Sequence, residues 1–144
     1  MKYEEIIKGI TEEGMVAVGS LAEILDAISQ VYPMILLANL TKNSYFMIRD
    51  NGFLYEKNSI YGEYDEMIEN GVKNIHPSYQ SAFLEAFDRK SLIARYENGI
   101  RTVSVNLYQK DQKGDFHWVT TKVIRLEDES GDVVQLCLNE NLPE

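Results

Sequence analysis

The side chains that most often carry chemistry are sparse in this sequence: two histidines, His76 and His117, and one cysteine, Cys137, in 144 residues. A zinc site draws three or four ligands from closely spaced Cys, His or acidic residues, and no such spacing occurs, so a stoichiometric metal is not expected. Nucleophilic catalysis requires a Ser, Thr or Cys beside a base that is itself held by a third group, and nothing along the chain pairs either histidine with such a partner. Cys137 stands between Leu136 and Leu138 and reads as a small residue packed at or near a sheet surface. With no second cysteine there is no internal disulfide and no Cys-x-x-Cys redox motif. The clusters Glu4-Glu5, Glu12-Glu13 and Glu127-Asp128-Glu129 fall at an end, a break and a turn, places for solvated charge rather than for a catalytic carboxylate pair. His76 precedes Pro77 and fits the N-cap of a helix, where an imidazole nitrogen can satisfy a free backbone donor.

Composition narrows the partners. Fourteen basic residues against 23 acidic ones give a formal charge of -9, which repels nucleic acid and anionic lipid alike. The balance of 44% hydrophobic and 26% charged residues suits one globular domain. The apolar run Met34 to Ala38 is far short of the roughly 20 residues that cross a bilayer, and Lys2-Tyr3-Glu4-Glu5 does not open a signal peptide. A soluble, cytoplasmic chain is the expectation, and the sequon Asn39-Leu40-Thr41 reads as chance.

Elements that would position these residues follow from periodicity. Ser20-Leu21-Ala22-Glu23 has the form of a capping box, and Leu21, Ile24, Leu25, Ile28 and Val31 continue it as one apolar stripe until Pro33. A shorter helix is predicted over residues 3 to 10. MILLANL and SYFMIRD read as a β-hairpin, and a short helix is predicted around Glu63 to Glu69, ended by Asn70-Gly71. Pro77 sits at the first position of a further helix carrying Tyr79, Phe83 and Phe87 on one face. Another helical turn spans Ser91 to Tyr96. The strands TVSVNLYQK, FHWVTTKVIRLE and VVQLCLN, separated by turns at Gly114 and Gly131, form an antiparallel meander. The order contains no βαβ rhythm, so the expected class is antiparallel α+β.

Ile75-His76-Pro77 at the helix start, Lys113-Gly114-Asp115-Phe116-His117-Trp118-Val119 in the last hairpin, and the spacing of the final strands together resemble the PAS superfamily. The likeness is to the subgroup found ahead of diguanylate cyclase domains in bacterial signalling proteins. It implies a five-stranded antiparallel sheet with helices packed on one face, preceded by an N-terminal amphipathic helix. The divisions it implies are a 1–19 extension, a 20–141 sensory domain whose 20–32 helix dimerises, and a linker starting at 142–144. It further implies a small-molecule ligand or partner, a homodimer, and a fused or associated output domain, a diguanylate cyclase or a histidine kinase. No catalysis by this segment, no haem, flavin or metal, and no membrane contact are expected.

Tyr45, Tyr55, Tyr61, Tyr64 and Tyr79 fall in or near segments that would line a cavity in such a fold, each offering an apolar ring with one polar tip; ordinary core and surface roles stand beside that reading. Leu21, Ile24, Leu25 and Ile28 are the expected dimer contacts. Phe116 and Trp118 share a strand face and read as buried packing residues. Two alternatives remain open: a small enzyme or binding protein on a cone-shaped scaffold like that of ketosteroid isomerase, and a purely structural dimerisation domain.

Overall fold

A computed structural model describes residues 17–53 and 59–143. The elements run α1 (Ala17–Ser29), β1 (Met34–Asn39), β2 (Ser44–Asp50), β3 (Tyr61–Glu63), α2 (Tyr64–Gly71), α3 (Gln80–Phe87), α4 (Arg89–Glu97), β4 (Thr102–Lys110), β5 (Phe116–Leu126) and β6 (Val134–Asn141), with 3-10 turns at Val72–Asn74 and Pro77–Tyr79. The strands form one antiparallel sheet in the order β3-β2-β1-β6-β5-β4. The class is the α+β one expected, with a sixth strand at the edge. That strand, β3, is three residues long and fully exposed, so no hydrophobic alternation announces it; it exists because it pairs with Ser44 to Phe46.

Helices α2, α3 and α4 cover one face of the sheet. Leu36, Ala38, Leu107, Val119 and Val123 from the strands pack there against Tyr64, Met67, Phe83, Phe87, Leu92 and Tyr96. Antiparallel strands alternate faces, so Ile35, Leu37, Leu136 and Leu138 lie on the other side. The far edge is partly closed: Ile75 bridges to Gln109 and the His76 N–H donates to the Tyr108 carbonyl at 2.8 Å. His76 caps the next turn, its Nδ1 accepting from the Ser78 N–H at 3.1 Å. Asp88 does the same for α4, accepting from the Ser91 N–H and hydroxyl, and those bonds hold its carboxyl below the usual range. Arg89 joins three segments by pairing with Asp65 and donating to the Leu40 carbonyl.

The predicted helix over residues 3 to 10 lies outside the described residues. Three other expectations change. Helix α1 is already under way at Ala17, so Ser20 falls inside the helix rather than at its start. Gly71 does not end α2 by turning left-handed; its φ of -63° continues into a 3-10 turn. A Cβ there would sit 3.4 Å from Phe83 Cζ, an ordinary van der Waals contact. Gly114, by contrast, has the positive φ, 86°, that the β4–β5 turn was expected to need.

The third correction concerns Trp118, which is 42% exposed. Phe116 and Trp118 do share a face, but it is the one that α2, α3 and α4 leave open. There the indole rests against Tyr108 and Tyr79 at centroid distances of 5.2 and 5.1 Å, in a shallow aromatic patch completed by His76 and Phe116. Leu92, fully buried under α4, is the better core reporter. Leu92→Ala should lower stability by about 2 to 5 kcal/mol and Trp118→Ala by about 1 kcal/mol, measured as urea midpoints with an unchanged slope; equal losses would place the indole in the core.

Candidate functional site

Between the covered face of the sheet and helices α2 and α3 lies a cavity of about 60 Å³. Met34, Leu36 and Val123 floor it from the sheet, and Met67, Ile68, Phe83 and Phe87 roof it from the helices. The polar groups come from the strands: Gln109 on β4, Thr121 on β5, and Gln135 and Asn139 on β6, with Cys137 between the last two. Each sits where strand alternation puts every second side chain inward.

Strand β6 has the reverse of the usual pattern. Its inward residues are Gln135, Cys137 and Asn139, while Leu136 and Leu138 face away from the helices. Buried amides are tolerated only when hydrogen-bonded, and most of these are. Tyr96 donates its hydroxyl to Gln135 Oε1 at 2.7 Å, the Thr121 hydroxyl donates to Asn139 Oδ1 at 2.6 Å, and Asn139 Nδ2 reaches Cys137 Sγ at 3.4 Å. Tyr64 gives its hydroxyl to the Phe87 carbonyl at 2.8 Å. Burial raises the Tyr64 and Tyr96 phenols, and both keep their protons at neutral pH. Gln109 differs: its Nε2 has no partner among the described residues.

Of the five tyrosines singled out in the sequence, Tyr64 lines the cavity. Tyr45 is buried but turned to the β3 side, its hydroxyl donating to the Ser59 carbonyl at 3.1 Å. Tyr61 is 74% exposed on the edge strand, and Tyr79 packs on Trp118 beyond the far edge; neither is at the cavity, because both lie where the chain passes the sheet's margins. Tyr55 lies outside the described residues. Gln109, Thr121, Gln135, Cys137 and Asn139 escaped the sequence reading, although amides alternating against leucines in β6 were the available signal. Cys137 is not at the sheet surface; it is buried on the covered face.

His117 bonds Asn141 Oδ1 through Nε2 at 2.7 Å, and its Nδ1 is 3.8 Å from Asp111. His76 sits in the aromatic patch, its ring 5.1 Å from that of Phe116. No group of three or more potential metal ligands occurs among the described residues, and none of their helices is long and apolar enough to cross a membrane.

On α1, Ile24 is 51% and Ile28 38% exposed, and Leu25 is half-buried; nothing is described of the Leu21 side chain. The end of α1 is tied to β2 and its exit, Arg49 pairing with Asp26 at 3.1 Å and Asn51 Nδ2 donating to Ser29 Oγ at 2.9 Å.

Burial pushes the Cys137 thiol up to about 12, partly offset by the Asn139 amide. Because the thiolate is the reactive form, iodoacetamide at pH 8 should leave Cys137 unmodified in the folded protein and alkylate it in guanidinium. Rapid alkylation of the native state, followed by mass spectrometry, would place the thiol at the surface.

No family model matches the chain, and no curated protein matches it. Among solved structures, a sensory box histidine kinase/response regulator from Burkholderia thailandensis superposes with a TM-score of 0.53 over 83% of each chain at 17% identity. The N-terminal domain of a diguanylate cyclase with PAS/PAC sensor from Marinobacter aquaeolei gives a TM-score of 0.47 over 75% of this chain and 93% of that one, at 14% identity. Such identities speak to architecture. The chain has a PAS-like α+β fold, with a small cavity under its helices.

Proposed function

We propose that this chain is a sensory module. It takes a small molecule between its helices and its sheet, pairs with a second copy through α1, and reports the bound state to a signalling output domain such as a histidine kinase or a diguanylate cyclase. The observation that carries the reading is the reversed alternation of β6. Burying Gln135 and Asn139 while turning Leu136 and Leu138 outward weakens a core and leaves apolar surface open, and both costs make sense if the interior meets a ligand and the exterior meets protein.

Ile24 and Ile28 on α1 add to that apolar exterior and remain the favoured dimer contacts, with Leu21 and Leu25 beside them. The description of the Burkholderia protein as a sensory box histidine kinase supports an output of that kind. A ligand would act by favouring one arrangement of α1 and sheet over another, which requires different affinity for the two. The isomerase-like alternative is less favoured, since it needs an acid facing the cavity and the described lining carries none.

Light scattering on the purified protein should give a dimer, and Ile24→Asp combined with Ile28→Asp should give a monomer whose melting temperature is nearly unchanged. A wild type that stays monomeric at high concentration would remove the pairing half of the proposal. Denaturing the purified protein should release a small molecule detectable by mass spectrometry; its consistent absence favours the purely structural role.

A further inference from the structure

The cavity has a chemical bias that narrows what can occupy it. Every described side chain on its wall is uncharged, so an ammonium, carboxylate or phosphate would be buried there without a counter-charge, which is strongly unfavourable. The hydrogen-bonding groups are mostly committed to one another: Thr121 to Asn139, Asn139 to Cys137, Tyr96 to Gln135 and Tyr64 to the Phe87 carbonyl.

Gln109 is the exception. It is 4% exposed, it lines the cavity, and its Nε2 has no partner among the described residues. Its backbone is held on both sides, paired with His117 on β5 and bridged to Ile75 across the sheet edge, so the donor's origin is fixed by the sheet. A buried amide N–H without an acceptor is costly, and the cost disappears when an acceptor is supplied. The space, about 60 Å³, is well below the ~150 Å³ that accommodates benzene in an engineered apolar cavity.

We propose that the cavity takes a compact, uncharged, mostly apolar molecule of a few heavy atoms bearing one acceptor oxygen, with Gln109 Nε2 donating to that oxygen. This rests on the sensory reading above and specifies its ligand class. The residue acts in selectivity: it distinguishes a carbonyl-like or ether-like oxygen from a methylene group in the same position, and the uncharged wall rejects the anion of similar shape.

Acetone, acetate and 2-methylpropene have the same number of heavy atoms and nearly the same shape, and they separate the three chemistries. Nuclear magnetic resonance titration of the whole chain, following the Gln109 side-chain amide signal, should show saturable shifts with acetone and none with acetate at equal concentration. In Gln109→Leu the affinity for acetone should fall about tenfold, the worth of one hydrogen bond to a buried donor, while 2-methylpropene binds undiminished. The wild-type comparison of the three probes needs no variant. Acetate binding in place of acetone overturns the assignment and leaves a sensory cavity standing. Equal acetone affinity in wild type and Gln109→Leu, or no saturable binding by any of the three, also overturns it. Acetone binding that leaves self-association and output unchanged upholds the assignment and defeats the sensory reading instead.

Discussion

The hydrogen bond from the Tyr96 hydroxyl to Gln135 Oε1 holds the helical layer to the sheet. Helix α4 buries only Leu92 and Tyr96, too few apolar side chains to fix its position by area alone. The buried phenol supplies direction as well as burial, and Arg125 adds a second tie by donating to the Tyr96 carbonyl at 2.9 Å. Tyr64 plays the matching part between the start of α2 and the end of α3 through the Phe87 carbonyl. The two tyrosines thus tie α4 to β6 and α2 to the end of α3, beside the cavity. Removing either hydroxyl would strand an acceptor where water is scarce, which is why the arrangement has one geometry rather than several.

Where sequence and structure agree, the reason is local. Ser44–Asp50 and Thr102–Lys110 have the boundaries that alternation and flanking turns imply, and Gly114 takes the turn conformation its position demands. Where they differ, the deciding contact is remote. Nothing within Tyr61–Glu63 marks a strand until β2 is beside it. Gly71 looks like a left-handed helix stop, yet its right-handed backbone runs straight on into a 3-10 turn. The alternation of Phe116 and Trp118 was legible, but which face the helices would cover was not, because both faces of β5 carry apolar residues.

The cavity was the least legible part, for a related reason. An amide in a strand ordinarily signals the solvent side, so Gln135 and Asn139 point the reader toward the wrong face of β6. Only the helices overhead reveal that the leucines are the outward set. The covered half of this sheet is therefore less apolar than its open half along β6, a local conflict with the rule that builds cores. Such conflicts are expected where a structure serves something besides its own stability, and Thr121, Asn139 and Cys137 limit the damage by bonding among themselves.

One topological fact has a mechanical side. Strands β1 and β6 are neighbours in the middle of the sheet and run antiparallel, with Met34 opposite Asn139. The chain therefore arrives from α1 and leaves past Asn141 at the same end of the sheet, one strand apart. Tension applied between these two points loads the β1–β6 hydrogen bonds one after another from that end, as in opening a zipper, instead of shearing all of them together. The module is compliant along the line that joins its first described helix to its last strand.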